Sequence, residues 1–135
     1  MRYRISRGIL IAVAAFYAYG ALVHILNMTS LTGFDWPGAP LKWQILDVAY
    51  LVVDVVAAVG LAFAWRIGFV AFVAAATSQI ALYTVLRSWI LDVPEDYRPS
   101  PEQIGYLDTL VAFHVVTIVV VAFALWLLRR DRPVA

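Results

Sequence analysis

The sequence predicts an all-α fold: an integral membrane four-helix up-down bundle, one transmembrane domain over residues 1–135, with both termini cytoplasmic. Three observations predict it. First, 64% of the residues are hydrophobic, 14% are charged, and the mean hydropathy is +0.85. Soluble domains have roughly 45–50% apolar and about 25% charged residues. Second, four apolar runs, about 8–28, 42–65, 67–90 and 104–128, are separated by helix breakers. A helix needs about 20 apolar residues to cross a bilayer core. Helix is the natural choice because backbone groups in lipid must pair within the segment. Third, the basic residues split by side, with Arg2, Arg4, Arg7, Arg66, Arg129, Arg130 and Arg132 facing one way and only Lys42, Arg87 and Arg98 the other. The positive-inside rule puts the first group in the cytoplasm.

The first run follows MRYRISR, a basic stretch that also suits a signal peptide. The apolar part is long for a signal core and carries Tyr and His, so we read it as a retained span. Tyr17, Gly20, His24 and Asn27 follow 3-4-3 spacing and form one stripe, with Tyr19 off it. Asn27-Met28-Thr29 has the form of a glycosylation sequon but lies too close to the span. The connection NMTSLTGFDWPGAPLK holds Gly33, Pro37, Gly38 and Pro40.

In the second run Gln44, Asp47, Tyr50/Leu51 and Asp54 share a face. Trp65-Arg66-Ile67-Gly68 is a tight hairpin into the third run, where Gln79, Tyr83 and Arg87 are spaced 4-4. Ala74-Ala75-Ala76-Thr77-Ser78 reads as a close-packing surface. DVPEDYRPSPEQ ends the third run, and Ser100-Pro101 reads as the cap and first position of the last helix. There His114 and Thr117 share a face, while Asp108 is turned roughly 120° from His114. All five tryptophans fall near run ends, as in the aromatic belts of spanning proteins.

At about 1.5 Å per residue from the cytoplasmic ends, His24 lies about 24 Å up, Tyr83 about 24 Å, His114 about 21 Å and Asp54 about 16 Å. Asp47 and Arg87 come near the outer boundary. The polar groups therefore overlap in depth in the outer half, and the inner half is Val, Ala, Leu and Phe. This implies a pocket open to the outside and sealed below. Its candidate ligand-binding or proton-handling residues are His24, Asp47, Asp54, Tyr83, Arg87 and His114. A charge in mid-membrane costs roughly 2.5–3.5 kcal/mol on insertion scales, so Asp54, the deepest acid, most needs a role. Either Arg87 neutralises the two acids or one of them holds a proton. The plainer alternative is that these groups only join helices, at about 0.6 kcal/mol per hydrogen bond. Thr77, Ser78, Thr84 and Thr117 fit that alternative best. Arg87 near a helix end can snorkel.

Several functions fit. His, Asp, Tyr and Arg around an apolar pocket suit a quinone or another lipid-soluble ligand, in a redox-accessory subunit. His24 and His114, the only histidines, have similar depths and could ligate haem b. His24, His114, Asp47 and Asp54 could hold zinc or iron. Transport is less favoured, since neither repeats nor broken helices are evident. A non-catalytic assembly subunit is the remaining reading. The lipid bilayer is the expected surrounding, with a membrane-protein partner or a second copy as possible company. A net charge of +1 offers no general attraction to nucleic acid. No cysteine is present, which excludes thiol catalysis and disulfides.

In size, topology and the pattern Phe16…Gly20…His24, the chain resembles the DoxX-like group of small bacterial four-helix membrane proteins. The resemblance implies a bacterial inner membrane and a link to thiosulfate or quinone oxidoreduction, with His24 as the one residue carried over. A chain without cysteine cannot itself perform thiol chemistry.

Overall fold

The computed structural model describes residues 2–130. They form α1 (Arg2–Met28), α2 (Leu41–Ala62), α3 (Arg66–Tyr83), a short α4 (Arg87–Leu91), a 3-10 turn (Glu95–Tyr97) and α5 (Pro101–Arg130). Among the described residues there is no strand. The helices α1, α2, α3 and α5 are long and apolar enough to cross a membrane, as in a multi-pass membrane protein. They close into a ring in which α1 and α3 each pack against both α2 and α5. Neighbours run antiparallel. Two long connections meet at one end, which we term the loop end, and the start of α1, the end of α5 and the α2–α3 hairpin lie at the other. Arg132 falls outside the described residues.

The termini half is packed solid. Leu10, Val13 and Ala14 of α1 meet Ala57 and Leu61 of α2, Phe72 and Ala75 of α3, and Val121 and Ala124 of α5. Small residues let the helices approach. A Cβ on Gly60 would strike the backbone at Gly68, and the reverse also holds, so α2 and α3 touch backbone to backbone here. Two bonds tie α1 to its neighbours: Ser6 Oγ donates to the Ala124 carbonyl at 2.8 Å, and Arg7 Nη2 donates to the Ala62 carbonyl at 2.6 Å. The second satisfies a carbonyl that the end of α2 leaves without an intrahelical partner. Ile11, Val52, Val70 and Val119 point outward from the ring.

Helix limits differ from expectation in instructive ways. The first and last helices are longer than 8–28 and 104–128. The second stops at Ala62, not 65, because Ala64 turns left-handed (φ 55°) to make the hairpin. The third does not continue to 90. Thr84 leaves helical geometry (φ −116°, ψ −80°), its hydroxyl bonds back to the Ile80 carbonyl at 2.6 Å, and the Leu86 amide reaches back to the Ala81 carbonyl. The chain then restarts as α4 at Arg87. Ser100 and Pro101 act as expected. The Gln103 amide donates to Ser100 Oγ at 3.2 Å, and the Ser100 amide donates to Gln103 Oε1 at 2.8 Å, a reciprocal capping box.

The loop end is clasped. Lys42 Nζ donates to the carbonyls of Trp89 and Asp92, and Trp43 Nε1 donates to the Ile90 carbonyl at 2.9 Å. The Tyr97 hydroxyl donates to Asp35 Oδ2 at 2.9 Å. Phe34, Trp43 and Tyr97 form an aromatic cluster with centroids 6.4 Å apart.

Candidate functional site

Above the solid half, the stripe of α1 faces the stripe of α2. The 3-4-3 spacing brings Gly20 and His24 onto Asp54 and Asp47. His24 Nδ1 bonds Asp47 Oδ1 through a short contact, and His24 Nε2 lies 3.7 Å from Asp54 Oδ2. One imidazole thus stands between two carboxylates placed two helical turns apart. Tyr50 stacks on it, with centroids 6.2 Å apart and rings within 15°, and is anchored by donating its own hydroxyl to Ser78 Oγ at 2.9 Å. Gly20 permits the arrangement: a Cβ there would lie 2.7 Å from Asp54 Oδ2. Asp54 is 3% exposed, and its Oδ1 has no hydrogen-bond partner.

His114 belongs to a second centre. Its Nε2 bonds Gln79 Oε1 at 2.8 Å, and its Nδ1 lies 3.4 Å from the Tyr17 hydroxyl. An amide oxygen can only accept, so Nε2 carries the proton and Nδ1 accepts from Tyr17. The three side chains are buried and tie α1, α3 and α5 together.

Arg87 is a correction. It does not balance Asp47 and Asp54. Its guanidinium forks onto Asp108, with Nη1 to Oδ1 at 2.6 Å and Nη2 to Oδ2 at 3.3 Å, and Nη2 also reaches the Ile104 carbonyl. The helix break at 84–86 carries Arg87 off the Gln79–Tyr83 stripe. The Asp108 hydrogen bonds hold its guanidinium above the ordinary arginine range.

Two cavities occupy the loop half. The outer, about 510 Å³, lies under the clasp, against Phe34, Trp36, Trp43, Leu91 and Gln103. The deeper, about 480 Å³, runs between α1 and α5 past Tyr17, Gly20, Asp54, Gln79, Phe113 and His114. Each falls in the size range of ligand pockets, about 300–1,000 Å³. His24, Asn27, Asp47, Tyr50, Tyr83 and Tyr106 line both, so the His24 cluster stands where the cavities meet. Of the expected residues, His24, Asp47, Asp54, Tyr83 and His114 line the deeper cavity, and Arg87 lines neither.

The chemistry of the cluster follows from its free valences. With Nδ1 engaged by Asp47, His24 Nε2 faces the cavity. It accepts a proton from a hydroxyl when the ring is neutral and donates one when the ring is charged. A ligand oxygen can sit at an ordinary hydrogen-bond distance, about 2.8 Å, from both Nε2 and Asp54 Oδ2, since these are 3.7 Å apart.

A haem held by His24 and His114 does not fit. Both nitrogens of His114 are committed inside the protein, and His24 Nδ1 is committed to Asp47. A four-residue metal site does not fit either, because His114 stands apart from the acids. Among the described residues, no three His, Cys, Asp or Glu side chains are grouped to hold a metal ion.

Sequence reasoning left Gln79, Tyr17, Tyr50 and Gly20 out of the candidate set, although all four lie on the stripes that defined it. Tyr106 and the Asp108 partner of Arg87 carried no such signal. No family model matches this chain, and no curated protein or solved structure matches it.

Proposed function

We propose that the protein is a multi-pass bacterial inner-membrane protein that binds a lipid-soluble quinone in the loop-half cavities, as an accessory to a redox partner. The observation that carries this reading is His24 set between Asp47 and Asp54 at the junction of two cavities. A quinone oxygen is an acceptor and a hydroquinone oxygen is also a donor. The pair His24 Nε2 and Asp54 Oδ2 serves both states, so the site can exchange a proton with the ring oxygen as a partner moves electrons. Aromatic walls at Tyr50, Tyr83 and Phe113 suit a flat ring. The charge asymmetry of the chain favours cytoplasmic termini and an outward-facing loop end. The DoxX-like resemblance points the same way.

The test is extraction. Protein purified from native-like membranes should carry quinone detectable by chromatography and ultraviolet absorbance. His24→Ala and Asp54→Leu should insert normally and lose it. Wild-type protein that neither carries quinone nor binds it when added would sink this reading and leave the assembly-subunit role.

A further inference from the structure

We propose that the deeper cavity is filled sideways from the bilayer, through a cleft between the loop-end halves of α1 and α5. The occupant is an amphiphile whose ring reaches His24 and Asp54 while its apolar tail stays in lipid. The inference rests on the quinone reading and names the route and the tail that reading leaves open.

In the termini half, α1 and α5 belong to one core, through Leu10, Val13, Val121 and Ala124 and the Ser6 bond to Ala124. Phe16 and Phe113, 5.1 Å apart, stand at the floor of the cleft. Beyond them toward the loops, both helices border the cavity: Tyr19 and Val23 on one side, Tyr106, Thr109 and Leu110 on the other. Tyr19 is 61% exposed and Tyr106 58%, on the lipid-facing side of the ring. These residues form the rim.

The walls are graded. The contributions of α2 and α3 to the deeper cavity are Asp47, Tyr50, Asp54, Gln79 and Tyr83, a polar back wall. The rim on α1 and α5 is aromatic or aliphatic apart from Asn27, Thr109 and phenol hydroxyls. Polar at the back and apolar at the mouth is the pattern of an amphiphile lying head inward. Asp54 Oδ1, buried and without a partner, is at that back wall. The competing route runs through the outer cavity, whose walls include Phe34 and Trp43 of the clasp.

The experiment uses the full chain in lipid nanodiscs and two radiolabelled benzoquinones with the same ring, one bearing a decyl tail and one without. Thr109→Trp fills the mouth at an exposed position, and Thr32→Trp crowds the outer cavity as the control. Thr109→Trp should slow capture of the tailed quinone by about tenfold or more, within the one to three decades over which association rates vary among related complexes. Thr32→Trp should leave that rate unchanged. Because the chain has no cysteine, Thr109→Cys gives a second form of the same test: a bulky disulfide-forming reagent should slow capture, and a reductant should restore it. Slowing by Thr32→Trp with no effect at position 109 overturns the lateral route while quinone binding stands. Failure of the wild type to capture either quinone overturns the binding reading and the route together.

Discussion

Replacing Gly20 by Ala places a methyl carbon 2.7 Å from Asp54 Oδ2, short of ordinary contact by about 0.7 Å. The obstacle is the end of a side chain, not backbone, so Asp54 can turn. A turn of this size costs less than a full 30° departure from a rotamer, which is about 0.5–1.5 kcal/mol. Against it, Ala in a helix interior is favoured over Gly by roughly 0.5–1 kcal/mol. The two nearly cancel, so Gly20→Ala should leave stability within about 1 kcal/mol of wild type. Binding should not survive equally well. Moving Oδ2 spoils the place where a ligand oxygen meets both His24 and Asp54. A hydrogen bond to a charged group is worth about 1.5–3 kcal/mol, so affinity should fall roughly ten- to hundredfold. The thermodynamic cycle with Asp54→Ala isolates the contact. In that background the obstacle is gone, and Gly20→Ala should stabilise by the full helix term. The assay is thermal unfolding of all four proteins in one detergent, with hydroquinone titration of the two that keep Asp54, since only the hydroquinone can donate to Oδ2. Destabilisation beyond about 2 kcal/mol would mean Asp54 cannot turn, because overpacking costs of about 1–3 kcal/mol would then apply. Unchanged affinity would mean the position of Asp54 does not matter to the ligand.

Three further outcomes follow from the packing. Gly60→Ala should destabilise by about 1–3 kcal/mol or more, because its Cβ meets backbone of α3 that cannot turn aside; thermal unfolding in detergent reads it. Gln79→Leu should cost about 1–3 kcal/mol by leaving His114 Nε2–H buried without a partner, and adding His114→Phe should recover part of that loss in the same assay. Partial burial and the Asp35 hydrogen bond hold the Tyr97 phenol above its ordinary value of about 10. A raised folded-state value means the clasp contributes fully below about pH 10 and is lost as pH rises through the folded value. Tyr97→Phe should therefore flatten the alkaline fall in stability, and Asp35→Asn should lower the phenol's titration midpoint in difference absorbance.

The helices were legible because length and hydropathy decide them, and the capping signal at Ser100-Pro101 marks a start that the backbone obeys. Stripe spacing was enough to bring His24 toward Asp47 and Asp54, since all three sit mid-helix where 100° per residue holds. Arg87 shows where that reasoning ends. Its place on the Gln79–Tyr83 stripe assumed an unbroken helix to 90, and no Gly or Pro stands between Gln79 and Ile90. The backbone leaves helical geometry at Thr84, and Arg87 pairs with Asp108 across a loop, and hydropathy registers neither. The pairing of His114 with His24 failed for a related reason. Similar depth does not make neighbours, and the face that His114 presents is filled by Tyr17 and Gln79.

The polar residues sort themselves by where their bonds go. Thr77, Thr84 and Thr29 spend their hydroxyls on carbonyls of their own helix, three or four residues back. Such bonds add no contact between helices and mark no site. Tyr17, Gln79 and His114 bond to one another across three helices, which suits a packing role. His24, Asp47 and Asp54 differ from both. They bond across two helices, border cavities on both sides, and leave an acid oxygen unpaired. Two acids within the spans cost roughly 2.5–3.5 kcal/mol each on insertion scales if charged at mid-helix. Joining α1 to α2 does not require that cost, since the core already joins them through Leu10, Ala14, Ala57 and Leu61. With Arg87 committed to Asp108 and His114 bonded to Tyr17 and Gln79, His24 is the one basic contact of Asp47 and Asp54 among the described residues, so the cluster has more acceptor capacity than its own residues fill. A ligand that brings a hydroxyl or a proton fills it, and a ligand offering only acceptors does not. Hydroquinone should accordingly bind more tightly than quinone of the same ring and tail, and the reverse order would remove Asp54 from the binding role.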